Sequence, residues 1–222
     1  MTEKNKKTAA EYLYILFDLD GTLTDSGPGI MNGYEYALGR MGVEIPDRAF
    51  LRQFVGPPLG ESWEKKLGFS PEDVQRGIAF YREYYAEKGV YENEVYPGVK
   101  DLLSDLRSCG KKMYIATTKA EPMAKVVVDH FGLAEFFEEV VASTSDRKTK
   151  IDVLRYVTEK CGIADLSKTV MVGDRHYDIT GAGHFGLDSV GVLYGYGDRM
   201  ELEEAGATYI AETVPDIGRF IM

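Results

Sequence analysis

YLYILFDLDGTLTDS, residues 12–26, carries the two features on which the rest of the chain turns. Residues 12–17 are apolar without a break, the pattern of a short strand buried on both faces. The run ends on Asp18, and Asp20 follows two places later. Residues two apart on a strand point to the same side, and Gly21 starts a turn just beyond. Two carboxylates this close repel each other and want a cation or a shared proton. In open parallel sheets, ligands bind beyond the carboxyl ends of the strands. Taken alone, the same letters would also serve as a strand end followed by an Asp-Gly turn.

Further short apolar runs lie at 112–116, 139–142, 169–172 and 189–193, with a weaker one at 208–211. Helical periodicity occupies 99–108, 121–130, 151–160, 177–182 and 199–205. Strands alternating with helices predict an α/β fold: a doubly wound parallel sheet covered on both faces. One stretch breaks the alternation. Ile30, Tyr34 and Leu38 recur at helical spacing until Gly42. Ser70-Pro71 with Asp73 starts a second helix, and Val74, Ile78, Tyr81 and Tyr85 keep its period until Gly89. A small helical module over 26–95 is therefore expected inside a core made of 1–25 and 96–222, with Tyr96-Pro97-Gly98 marking the return.

Each of the next three strands leads into polar residues. The second runs into Thr117-Thr118, where a hydroxyl and free backbone amides can hold a phosphate oxygen. The third leads to Asp146-Arg147-Lys148-Thr149-Lys150, where a lysine can neutralise a phosphoryl group. The fourth leads to Gly173-Asp174, with Asp178 four residues on, supplying the carboxylate oxygens that magnesium takes. Lys150 is preferred to Lys148 because a helix starts directly after it.

The order of these motifs resembles the haloacid-dehalogenase superfamily over nearly the whole chain. FVGPPLGESW (54–63), YPGVKDLL (96–103) and VGDRHYDITGA (172–182) resemble its phosphoglycolate-phosphatase-like branch. The resemblance implies a Rossmann-like core with a helical cap and a Mg²⁺-dependent phosphomonoesterase that works through an aspartyl-phosphate. It implies Asp18 as nucleophile and Asp20 as general acid and base. It also implies Mg²⁺ held by Asp18, the Asp20 main-chain carbonyl and Asp174, with Asp178 supporting the metal shell. Thr117, Thr118 and Lys150 would hold phosphoryl oxygens. An aspartate at position 20 argues for phosphoryl chemistry rather than dehalogenation, since an ester's leaving group needs an acid. A sugar-phosphate mutase keeps both aspartates, and a non-catalytic phosphate-binding regulator stands as the non-enzymatic alternative. Phosphoglycolate, a nucleoside monophosphate, a sugar phosphate and pyrophosphate all fit as the small phosphorylated substrate. Within the cap, Arg52 and Gly56, beside the stiff Pro57-Pro58 turn, are the candidates to meet the leaving group.

Composition narrows the remainder. With 26 basic and 36 acidic residues, the formal charge is −10 over 222 residues. That opposes a nucleic-acid footprint, which would be basic, and adhesion to anionic membrane. Residues 1–12 lack the apolar stretch of a signal peptide. No apolar run reaches the roughly 18 residues of a membrane span. Cys109 and Cys161 have no metal-type spacing, and a reducing, cytoplasmic setting is expected. Gly181-Ala182-Gly183-His184-Phe185-Gly186 matches a dinucleotide fingerprint but follows a helix rather than a strand. His130, His176 and His184 are too scattered to form a metal set. No residue pattern points to a particular oligomeric state.

Overall fold

The computed structural model describes residues 12–222, so the reading of residues 1–11 lies outside the described part. The chain opens with β1 (Tyr14–Phe17) and β2 (Thr24–Asp25). Helices α1 (Gly27–Met41), α2 (Arg48–Leu51), α3 (Leu59–Glu61) and α4 (Pro71–Tyr84) follow, before β3 (Glu94–Val95). Then come α5 (Val99–Ser108), β4 (Lys112–Ala120), α6 (Glu121–His130), β5 (Glu139–Ser143), α7 (Lys150–Lys160) and β6 (Thr169–Gly173). The chain ends with α8 (His176–His184), β7 (Asp188–Val192), α9 (Arg199–Glu204), β8 (Tyr209–Ala211) and α10 (Val214–Ile221).

Six strands form one parallel sheet in the order β5-β4-β1-β6-β7-β8. Counted within the sheet, this is the doubly wound order whose switch point lies beside the first strand. β1 is central, and Phe17 stands level with Ile115 of β4 and Val172 of β6. The next residue of each strand, Asp18, Ala116 and Gly173, therefore arrives at one edge together.

Alternation along β1 divides the core. Tyr14 and Leu16 face the apolar layer made with Val153 and Leu154 of α7 and Ala182 of α8. Ile15 and Phe17 face the opposite layer, with Leu103 of α5, Val127 of α6 and Ile217 of α10. Parity thus sends Asp18 toward α7 and α8.

The helical stretch follows the expected caps. Gly42 closes α1 in the left-handed region at φ 70°. The Ser70 hydroxyl accepts the Asp73 N–H at 3.2 Å to start α4, with Pro71 in its first turn. Aromatic rings hold the helices together: Tyr34 lies 4.8 Å from Phe54, 5.0 Å from Trp63 and 5.1 Å from Tyr81 between centroids. These rings belong to the same apolar cluster as Ile15 and Phe17.

Several elements exceed the sequence reading. α3 and α4 each run on into a π-helical turn, Ser62–Lys66 and Tyr85–Gly89. β2 pairs antiparallel with β3, so a small ribbon joins the two ends of the helical stretch. α10, capped by Thr213, was not expected. β4 continues four residues past Ala116 and re-registers against β5 at Ala120. Among the described residues, no helix is long and apolar enough to cross a membrane.

Candidate active site

The polar residues that end the strands converge at the switch point beside β1. Asp18 is buried, and its N–H is bonded to the Val172 carbonyl at 2.9 Å. Lys150, the first residue of α7, places its ammonium 2.9 Å from Asp18 Oδ1 and 2.7 Å from Asp178 Oδ1. That ammonium also donates to the Ala116 carbonyl at 2.7 Å. The Asp18 and Asp178 oxygens are in charge contact with Lys150 but lie off the hydrogen-bond direction. Thr149 fixes the start of α7 through a capping box with Asp152. Lys148, the alternative, is exposed on the rim of the cavity beside the site.

Asp174 follows β6 and is fully buried. Its Oδ2 accepts the Tyr196 N–H at 2.8 Å, while its Oδ1 has no protein partner. Gly21 packs flat against this carboxylate at φ 78°, and a Cβ there would overlap it. Asp178 accepts the Arg175 N–H at 3.1 Å and so is tied to the same loop.

One oxygen each from Asp18, Asp174 and Asp178 lies within 4.8 Å of the others. Three buried carboxylates facing one lysine leave an excess of negative charge. Burial pushes the Asp18 carboxyl up to about 6, with Asp178 and Asp20 adding to the rise and Lys150 opposing it. Burial likewise raises Asp174 well above the ordinary carboxylate range, reinforced by Asp178 and Asp18. A divalent cation with a preference for oxygen fits this donor set. It would meet the partnerless Asp174 Oδ1 and relieve the crowding.

The Asp20 carboxylate is not part of this trio. It points to a residue that sequence reasoning missed. Lys119 Nζ lies 3.0 Å from both Asp20 oxygens and donates to the Tyr85 hydroxyl at 2.6 Å. The only available signal was a lysine two places after Thr117, which reads equally as a solvated turn. Thr117 is buried and accepts the Lys119 N–H at 3.2 Å on its hydroxyl. Thr117 and Thr118 both line the cavity.

That cavity, about 630 Å³, opens from the two aspartates toward α1, α4 and the 54–60 segment. Gly56 lines it; Arg52 does not. The Arg52 guanidinium donates to the Gly195 carbonyl at 2.8 Å and lies 4.5 Å from the Tyr196 ring centroid. Arg175 reaches back to bond the Val55 carbonyl. His176 contacts Glu201 at 2.8 Å rather than the carboxylate trio. Residues 181–186 finish α8 and its turn, away from any strand-to-helix junction.

Comparison with known proteins places this arrangement. The family of haloacid dehalogenase-like hydrolases matches residues 15–192, and the chain belongs to that family. A 5'-nucleotidase of Pseudomonas aeruginosa is 36% identical over 206 residues, 92% of this chain and 93% of that protein. The tyrosine-protein kinase PtkA of Mycobacterium tuberculosis is 35% identical over 207 residues, 91% of this chain and 70% of PtkA. A phosphoglycolate phosphatase of Neisseria meningitidis is 31% identical over 214 residues, 91% of each chain. The crystal structure of a predicted phosphatase from Clostridium acetobutylicum superposes with a TM-score of 0.91 at 41% identity, over 95% of this chain and 98% of that one.

Proposed function

We propose that this enzyme is a Mg²⁺-dependent phosphomonoesterase that passes the phosphoryl group through Asp18. The observation that carries this reading is the pairing at the end of β1. Asp18 lies against Lys150 among metal-type carboxylates, while Asp20, two residues on, is held separately by Lys119.

In the first half-reaction an Asp18 oxygen attacks phosphorus and the ester P–O bond breaks. Asp20 gives its proton to the departing alkoxide. In the second half, Asp20 takes a proton from water as the water oxygen attacks phosphorus. The bond to Asp18 then breaks and inorganic phosphate leaves. Splitting the displacement in two lowers each barrier, and positioned acid–base catalysis is worth ~10²–10⁴-fold. Thr117 Oγ1 and the Lys150 ammonium bind phosphoryl oxygens, with Thr118 beside them. Asp18, Asp174 and the Asp20 main-chain carbonyl would hold Mg²⁺, with Asp178 in support. When bound, the cation offsets repulsion between the anionic nucleophile and the dianionic ester.

Helices over 26–95 act as the cap and carry the leaving-group side of the cavity. Ile30, Phe54, Ile78, Tyr81 and Arg82 line it from this stretch, and Met123 of α6 faces them from the core. A cavity of about 630 Å³ with these walls suits a nucleoside better than the two carbons of glycolate. It therefore favours a nucleoside 5'-monophosphate, the chemistry in the name of the Pseudomonas relative.

The test is a panel of phosphoglycolate, ribose 5-phosphate and nucleoside monophosphates, ranked by kcat/KM with Mg²⁺ and with chelator. Turnover should vanish in chelator and return with Mg²⁺, and the nucleotides should exceed ribose 5-phosphate. Asp18→Asn should lose turnover to background, and trapped phosphate should map by mass spectrometry to Asp18. Full activity in chelator, or phosphate on another residue, would remove this mechanism. Preference for phosphoglycolate would remove only the nucleotide assignment.

A further inference from the structure

The two aspartates are held by two lysines, and the lysines are anchored in different parts of the molecule. Lys150 lies against Asp18, and its other anchors are the Ala116 carbonyl in β4 and Asp178 in α8. Every one of these belongs to the sheet or a helix packed on it. Lys119 lies against Asp20, and its other anchor is the hydroxyl of Tyr85. Tyr85 sits where α4 passes into its π-helical turn. Its ring stacks on Tyr81 at 5.3 Å and 11°. Tyr81 packs on Tyr34 of α1. The nucleophile is therefore held from within the sheet, whereas the acid–base residue is held by a β4 lysine whose other anchor comes from the helical stretch.

Lys119 has no donor to spare for substrate. An ammonium offers three protons. Two Asp20 oxygens at 3.0 Å and the Tyr85 oxygen at 2.6 Å are acceptors for all three. The Tyr85 ring lies 4.8 Å from the same nitrogen, which adds a cation–π contact. The Lys119 side chain is only 6% exposed, so water cannot readily replace these partners.

We infer that Lys119 and Tyr85 are positioning residues that set Asp20 in working geometry only when the helical stretch is seated on the sheet. This rests on the phosphomonoesterase reading above. Asp18 is ready whether or not the helices are seated; Asp20 is not. A substrate that seats the helices is carried through both half-reactions. One that does not can phosphorylate Asp18 only if its leaving group needs no proton, and it then leaves the enzyme stalled, a form of induced fit.

Rapid-mixing kinetics tests this with Tyr85→Phe and Lys119→Met. Tyr85→Phe removes one hydroxyl and keeps the stacked ring, so it guards against a folding defect. The substrates are 4-nitrophenyl phosphate, whose leaving group needs no proton, and ribose 5-phosphate, whose alkoxide does. With the aryl ester, both variants should release a burst of 4-nitrophenolate and then turn over slowly. The slowing should be about tenfold for Tyr85→Phe, the worth of one hydrogen bond to a charged group, and larger for Lys119→Met. Phosphorylated Asp18 should accumulate. With ribose 5-phosphate, phosphorylation itself should slow and no phospho-enzyme should build up. Loss of burst and turnover by one common factor would indicate a merely structural role and overturn the inference. So would wild-type turnover of both esters by Tyr85→Phe. Asp20→Asn run in parallel should give the same signature more strongly. Wild-type turnover by Asp20→Asn would instead sink the acid–base assignment on which the inference stands.

Discussion

Asp18 is where the proposed catalytic role and folding stability oppose each other. Burial pushes its carboxyl from 3.8 up to about 6, against the pull of Lys150. The folded state therefore binds the proton more tightly than the unfolded chain does. Stability from this group is fully present below pH 3.8 and is lost as the pH rises through about 6. In metal-free protein, Asp18→Asn should remove that penalty, because an amide carries no charge to desolvate and Lys150 keeps Asp178. The variant should be more stable than wild type by about 1–3 kcal/mol at pH 7, with the difference shrinking toward pH 5. Urea unfolding in chelator at several pH values measures this. A variant less stable than wild type at pH 7 would show that Asp18 is satisfied as an anion without metal. Mg²⁺ should raise the melting temperature of wild type more than that of Asp18→Asn, since only wild type offers the full anionic set.

Among the elements, α7 joins fold and site most directly. Its first residue is Lys150, and its start is fixed by the reciprocal bonds of Thr149 and Asp152, at 3.2 Å and 3.0 Å. Thr149→Ala should cost about 1 kcal/mol in urea unfolding, the usual worth of an N-cap. It should also lower kcat more than it raises KM, because Lys150 is aimed by that first turn. The Thr149 hydroxyl and N–H hold the Asp152 carboxyl below its ordinary value of 3.8. The stability from this cap is thus present above pH 3.8 and fades as the pH falls below it. The difference between wild type and Thr149→Ala should fade with it. β4 makes a second point. Its apolar run stops at Ala116, yet the strand continues to Ala120, with Thr117 accepting the Lys119 N–H and Lys119 meeting Asp20 across the site.

At the scale of the whole molecule, two arginines tie the helical stretch to the loops that carry Asp174 and Tyr196. Arg52 donates to Gly195 beside Tyr196, whose N–H supports Asp174. Arg175, next to Asp174, bonds the Val55 carbonyl. Gly56 sits between them at φ 101°, where a Cβ would come 2.7 Å from Arg175 Cγ. The sequence offered Arg52 as a candidate to meet the leaving group; its contacts with the Gly195 carbonyl and the Tyr196 ring suit a clamp between the helical stretch and this loop. Arg52→Ala should then raise KM for charged and uncharged esters alike, by roughly three- to tenfold for one lost charged hydrogen bond. It should also quicken proteolysis within 42–70. A defect confined to anionic substrates would restore the specificity role.

Much of this was written locally. The unbroken apolar run of β1, the Ser70-Pro71 and Gly42 caps, and the polar residues Asp18, Thr117, Lys150 and Asp174 that follow the apolar runs were legible because periodicity and capping are short-range properties of sequence. The parallel α/β sheet follows from their alternation with helices, but the order of its strands does not, since more than one doubly wound order shares that alternation. What tertiary structure alone decided is which charge meets which. Asp20 and Lys119 are 99 residues apart, and Lys119 and Tyr85 are 34 apart. No local pattern marks such pairs, since a lysine in a Thr-rich turn looks the same whether water or a buried carboxylate receives it. The division of labour between Lys150 and Lys119, and the engagement of Arg52 by Gly195, arise only when the helical stretch packs over the sheet. Burial then removes water as the competing partner, and each buried charge has to find its match within the protein.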